Sequence, residues 1–524
     1  MKKLFGISIL LIYTILSASG IAQGQNQDRK MSFTVSMDQP ASHYYQVEFR
    51  YDGITEEAVE LKMPAWTPGY YMVLDLAKNV VGLEVKDGAG KPLPFRKTAK
   101  NTWTVQTSGI QSLIATYNVY ATRASVADPY LAENRGFISP TGVFFHVGGK
   151  LSHPVMVTIN PWKEWKQVST GLDPVKGQAN TFSAPDFDRL YDCPILVGNQ
   201  EILSFEYKGI PHTIAIEKPG TCNREKLAAD LKKIVEAGTS IIGEIPYKHY
   251  TFLIMEKGGG GLEHLNSMAV FADVSKYGEA DRDRGLLGFF AHEYFHLYNI
   301  KTIRPVVLGP FDYDRECLTN MLWFSEGGTV YYQDMILNRA GFLSRDQYLE
   351  GAAKGIGSHE NIMGSRFQSA ARSSWDTWML FFNRAENSQS VSINYYNKGN
   401  TLCMLLDLKI REASQNVNSL DDVMRTLYQD FNKKRNRGFT DAEFREVCEK
   451  AAGCSLSEFF DYVYTTNPID YGKYLAYAGL KIDLTPQEPA ISYLNKTMNK
   501  RSFLISIAQN PTELQKKVLA DWLK

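Results

Sequence analysis

From Met31 to about Gly209 apolar and polar positions alternate over short runs: SFTVSMD, HYYQVEFRYDG, AVELKMPAW, WTVQTS, LIATYNVYAT, GVFFHVGG and VMVTI. A two-residue period rich in Val, Thr, Tyr and Phe, broken by Gly, Pro, Asn and Asp, predicts half-buried strands in an antiparallel sandwich. Two punctuated stretches, Trp66-Thr67-Pro68-Gly69-Tyr70-Tyr71 and Asp186 to Pro194, read as turns with aromatic packing. From Ile210 the pattern changes to strand (HTIAIEKPG), helix (Asn223 to Ile242, apolar at Leu227, Leu231, Ile234 and Val235), strand (HYTFLIME), the glycine run Gly258 to Gly261, and strand (SMAVFAD). Four glycines let a backbone pass very close to a neighbour. Beyond these, Gly285 to Leu297 reads as a buried helix and Leu318 to Ala340 as another, stopping at Gly341. Past Leu343 the chain is mainly helical: Ser344 to Gly355, Gly399 to Ser414, Ser419 to Phe431, Thr440 to Ala452 and Ser455 to Thr465. Tyr395 and Tyr396 are expected in a loop before Gly399.

The helix starting at Gly285 carries His292-Glu293-Tyr294-Phe295-His296 in apolar surroundings. Positions four apart return to one helical face, so His292 and His296 can aim two imidazole nitrogens at one metal ion, with Glu293 as the obvious base. A hydrolytic zinc site needs a third protein ligand and an open position for water. Glu316 and Glu326 are the candidates, with nineteen and twenty-nine residues between them and His296. Glu326 is preferred, because in its apolar, helical context an ionised carboxylate costs several kcal/mol unless a cation compensates it. Glu316 sits with Asp312, Asp314 and Arg315, a solvated charged turn.

Composition narrows the setting. With 524 residues, 44% apolar and 22% charged, the chain is globular and too long for one ordinary core. Basic and acidic residues balance at 57 each, so charge provides no case for nucleic acid or an anionic membrane surface. Lys2 and Lys3, an apolar run from Leu4 to Leu16, and small residues before Ala22 form the layout of a secretory signal peptide over 1–22. An exported protein, periplasmic or secreted and without a membrane span once mature, is therefore expected. Six cysteines without paired spacing argue against a disulfide framework; Cys448 and Cys454 could pair, or remain thiols.

The blocks HEYFHLYNIKTIRP, LWFSEGGTVYYQD, YYNKGNTLCMLLDLKIRE, WTPGYYMV and FDRLYDCP together resemble the glycyl aminopeptidase family of zinc metallopeptidases, gluzincins with a thermolysin-like catalytic domain. The resemblance spans roughly residues 31 to 480. It implies a multidomain α+β fold: an N-terminal antiparallel β domain (31–210), a thermolysin-like domain (211–343) and a helical domain (344–478). It implies one zinc ion per chain held by His292, His296 and Glu326, with Glu293 passing a proton from the metal-activated water to the leaving amine. Tyr396 matches the oxyanion-donating tyrosine of a Tyr-x-Lys-Gly motif, with Tyr395 the fallback. The glycine run resembles the Gly-x-Met-Glu-Asn loop of related aminopeptidases, implying that Glu263, with Gly260 and Gly261, binds the substrate's N-terminal end. Here Leu262 and His264 replace the motif's Met and Asn.

Members often end in a PDZ-like domain, but only 44 residues follow Leu480, so a short tail (479–524) with a remnant strand pair and a terminal helix is expected instead. The implied activity is removal of small N-terminal residues, Gly or Ala, from peptides. A zinc endopeptidase and a catalytically idle peptide-binding protein are the alternatives.

Overall fold

The computed structural model describes residues 30–279, 283–381 and 384–524. The expected signal peptide, 1–22, lies outside the described residues. The N-terminal region builds a seven-stranded sheet facing a four-stranded one, with a further four-stranded sheet beside them. Alternation sets the faces: in Tyr44–Asp52 the residues Tyr45, Val47, Phe49 and Tyr51 are buried while their neighbours face out. The pairing is antiparallel except where Lys30–Ser36 runs parallel to Val155–Asn160. GVFFHVGG departs from its expected strand. Pro140–Gly142 forms a tight turn and only His146–Val147 is extended. There the Val143 and Phe144 carbonyls accept from Tyr117 (2.8 Å) and Tyr191 (3.1 Å), which replaces a strand ladder.

A five-stranded sheet follows, ordered Glu201–Tyr207, Ile210–Ile216, Tyr250–Met255, Ser267–Phe271, Gly261–Glu263. Glu201–Tyr207 pairs with Ile210–Ile216 and so belongs to this sheet, although its position before residue 210 grouped it with the β domain. The middle pairs are parallel and Gly261–Glu263 runs antiparallel at one edge. The helix Arg224–Ile242 is capped by the Asn223 side chain, which accepts from Lys226 N at 3.0 Å, a contact worth about 1 kcal/mol. Its four predicted apolar positions are all buried against the sheet and the histidine helix, Asp283–Phe295.

The expected helix from Leu318 to Ala340 is two helices, Leu322–Ser325 and Gly327–Arg339, breaking at Glu326. The expected loop before Gly399 is instead the first turn of a helix, Tyr395–Ala413, because the Asn394 side chain caps it by accepting from Tyr396 N at 2.8 Å. Gly399 does not break that helix. It is a crossing point: a Cβ there would stand 2.0 Å from the Trp323 carbonyl oxygen, and one on Gly327 would stand 2.5 Å from the Gly399 Cα. Only glycine permits this approach, and it brings Glu326 and Tyr396 into one neighbourhood.

One core runs from the five-stranded sheet through the C-terminal helices to Trp522. Beyond Gly479, Leu480–Tyr493 and Lys496–Ile507 form a hairpin and Glu513–Trp522 a helix, whose Trp522 Nε1 donates to Tyr331 at 3.0 Å. All six cysteines are free. No helix among the described residues is long and apolar enough to cross a membrane.

Candidate metal and substrate site

The histidine helix ends at Phe295, and a tight turn carries His296 onward so that its backbone N–H still reaches the His292 carbonyl. The two Nε2 atoms lie 3.0 Å apart, and Glu326 Oε2 lies 3.2 Å from that of His296 and 3.8 Å from that of His292. These three side chains form the described residues' one cluster of potential ligand atoms within 4.8 Å of one another. His296 Nδ1 meets the Asn299 carbonyl at 2.8 Å, which places a proton there and turns Nε2 toward Glu326 as the atom that would bind a metal. Asn299 in turn donates to the Phe324 and Ser325 carbonyls at 2.9 and 3.1 Å, tying this turn to the segment that presents Glu326.

The electrostatics suit a cation. Burial holds the His292 imidazole down at about 3, the neutral form a ligand needs. Burial also opposes charge on His296, yet Glu326, Glu263 and Glu293 outweigh it and push its pKa up to about 10. Burial raises Glu293 well above the carboxylate range, and Glu263 and Glu326 add to that against His296 and Lys301. For Glu326 burial is outweighed by His296, His292 and Tyr71, which hold it below its ordinary value. Three buried carboxylates around two imidazoles are an environment in which a divalent metal offsets the crowded negative charge, and the two-histidine, one-glutamate donor set is that of a catalytic zinc site.

All eight residues singled out from the sequence line one cavity of about 380 Å³: His292, His296, Glu326, Glu293, Tyr396, Glu263, Gly260 and Gly261. Gly261 is the point of closest approach, since a Cβ there would stand 2.1 Å from Glu293 Oε1. Gly260 takes φ +94, which carries the chain into the edge strand. Tyr396 stacks on Phe381 and stands 6.2 Å, ring to ring, from His292. Tyr395 is turned away, with its hydroxyl accepting from Thr377 Oγ1 at 2.9 Å. Glu316 is exposed on the charged turn.

Glu263 is 4% exposed, and its Oε1 makes no hydrogen bond among the described residues. The nearest cation, Lys301 Nζ, is 3.9 Å away and is held at 2.9 Å by Asp192 Oδ1. Asp192 also binds His264 Nδ1 (3.1 Å) and the Leu265 N–H (2.8 Å), so it anchors the chain just past Glu263. Ile300, between Asn299 and Lys301, adopts φ 148, a strained value for a β-branched residue, in the turn that sends these neighbours in different directions. Asn299, Lys301, Asp192 and Tyr71 had no assigned role from sequence. Their blocks stood out in NIKTIRP, FDRLYDCP and WTPGYYMV, but nothing local shows that segments so distant converge.

This fold and donor set define a thermolysin-like zinc peptidase of the gluzincin class. Residues 32–199 match the model of the peptidase M61 N-terminal domain, and residues 285–402 that of M61 glycyl aminopeptidase. The chain belongs to the M61 glycyl aminopeptidase family. It is similar to an aminopeptidase N family protein from Idiomarina loihiensis, with 30% identity and TM-score 0.81 over 87% of this chain and 79% of that one. The overall fold is shared with an M1 zinc metallopeptidase from Deinococcus radiodurans, solved as a mutant bound to a Tyr-Ser-Ala substrate: 13% identity, TM-score 0.51, over 84% of this chain and 95% of that one. It is also shared with Legionella pneumophila aminopeptidase A in complex with aspartic acid, at 12% identity and TM-score 0.50, covering 91% of this chain and 56% of that one. A search of curated proteins gives no match.

Proposed function

We propose that this protein is a zinc-dependent aminopeptidase that hydrolyses the N-terminal peptide bond of peptides, favours Gly or Ala there, and works outside the cytoplasm once residues 1–22 are removed. The observation that carries the reading is the position of Glu263. A buried carboxylate oxygen without a hydrogen-bond partner among the described residues lies in the cavity that holds His292, His296 and Glu326. A substrate's α-ammonium group completes it, whereas an internal peptide bond offers no cation.

His292, His296 and Glu326 would hold one zinc ion, which when bound supplies the Lewis acidity that activates water and polarises the scissile carbonyl. Glu293, on the same helix and against Gly261, takes the proton from the attacking water and delivers it to the leaving amine. The Tyr396 hydroxyl donates to the oxyanion of the tetrahedral state. The outer side of Gly261–Glu263 has no strand partner among the described residues, so an extended peptide can hydrogen-bond along it. Tyr70, Phe289, Phe381 and Tyr396 wall the cavity, which supports a small N-terminal residue.

The test compares Gly- and Ala-initiated peptides with their N-acetylated forms at equal concentration. Only the free forms are expected to be cut; equal cleavage of both would remove the role given to Glu263 and favour an endopeptidase. Tyr396→Phe is expected to lower kcat by about 10²–10³ with little change in KM, while Tyr395→Phe lowers it far less. Steady-state kinetics of the two variants side by side check the assignment.

A further inference from the structure

The zinc reading leaves one contact of the N-terminal domain without a role. Tyr71 donates its phenolic hydrogen to Glu326 Oε1 at 3.0 Å, across 255 residues of sequence. The phenol is 2% exposed and its ring packs edge-on against Trp378, 6.0 Å away. The loop that carries it is held from both domains. Ala65 N donates to the Tyr313 carbonyl at 2.7 Å, and Trp66 Nε1 to the Asp312 carbonyl at 2.9 Å. Within the β domain, Thr67 Oγ1 donates to the Ala127 carbonyl at 3.1 Å and Leu74 N to the Ala65 carbonyl at 2.8 Å. Gly69, at φ +90, lies so close to Glu263 that a Cβ would stand 2.6 Å from Oε1. One loop thus touches both carboxylates that flank the proposed reaction centre.

A carboxylate offers two oxygens, and a ligand that presents only one needs a donor for the other. Glu326 directs Oε2 at the imidazoles, and among the described residues Tyr71 supplies the hydrogen bond to its buried Oε1. His296 has its partner in the Asn299 carbonyl, supplied by the turn it belongs to. The partner of Glu326 comes from a different domain.

We propose that Tyr71 is a positioning residue for the metal centre: its phenol, supplied by the N-terminal β domain, fixes the Glu326 carboxylate so that a single oxygen faces His292 and His296. The proposal rests on the reading of these three residues as zinc ligands. It makes the β domain part of the metal site, and by linkage zinc binding strengthens the docking of that domain.

The experiment uses the full chain carrying Tyr71→Phe, which keeps the ring and removes one oxygen. Zinc affinity is measured by competition with a chromophoric chelator, together with the visible spectrum of the cobalt-substituted protein and the melting temperature with and without zinc. Affinity is expected to fall about 10–100-fold, the cobalt bands to shift, and the stabilisation by zinc to shrink, with a lower zinc-free melting temperature from the lost buried hydrogen bond. Affinity within twofold of the parent and an unaltered cobalt spectrum would overturn the proposal. If the zinc-free variant is itself destabilised, the cobalt spectrum at saturating metal decides, because it reports ligand geometry independently of folding yield. A parent protein without stoichiometric zinc, or zinc that survives His296→Ala, overturns the ligand reading and the Tyr71 proposal with it. A zinc-loaded parent whose zinc is lost in His296→Ala, with Tyr71→Phe unchanged, overturns the Tyr71 proposal alone and leaves that reading intact.

Discussion

Glu293→Gln is expected to lower turnover by about 10⁴-fold while zinc remains bound, because the amide keeps the shape of the side chain but cannot take or return a proton. The packing predicts that this is not an unfolding effect. Glu293 is 4% exposed, and Glu263 and Glu326 both disfavour its charged form. Burial is the larger cause, and a neutral amide of the same shape fits that setting, so the variant's melting temperature should stay at or above the parent's. Metal content by atomic absorption, turnover of a Gly- or Ala-initiated peptide, and calorimetry together check it. Turnover within tenfold of the parent would remove Glu293 as the proton carrier.

Glu326→Ala is expected to weaken zinc binding about 100-fold and to abolish activity at trace metal, whereas Glu316→Ala leaves both near the parent value. Apparent zinc affinities of about 10–16 kcal/mol spread over a four-coordinate site make one ligand worth roughly 3 kcal/mol. Of the two, Glu326 lies within reach of both imidazoles, at 3.2 and 3.8 Å. Glu316 is exposed. Chelator competition on the two variants separates them, and zinc loss on Glu316→Ala alone would reverse the assignment.

Much of this site was legible because its chemistry is local or carried by unusual residue choices. Two histidines four apart share a helix face whatever surrounds them, and a glutamate in an apolar helical stretch needs compensation. The glycine run ending at Gly261 marked a close approach, but not what approached. Gly261 proved to lie against Glu293, while Gly327 and Gly399 meet each other and so bring Glu326 and Tyr396 together. The misjudged elements share a cause. Gly399 was read as ending a loop, and the stretch from Leu318 as one continuous helix, since a pattern of apolar residues does not reveal a cap at Asn394 or a break at Glu326.

Sequence by itself therefore determined the class of chemistry: the paired histidines, the adjacent glutamate, the preference for Glu326 over Glu316 and the α+β order of elements. Periodicity and short-range spacing depend only on residues a few positions apart, and these survive in a linear reading. Tertiary structure alone decided how the β domain takes part. Tyr71 reaches Glu326, and Asp192 holds Lys301 beside Glu263, through contacts separated by 255 and 109 residues. Such partners are selected by how sheets and helices pack, and a buried carboxylate is satisfied by whichever donor the folded chain brings within about 3 Å.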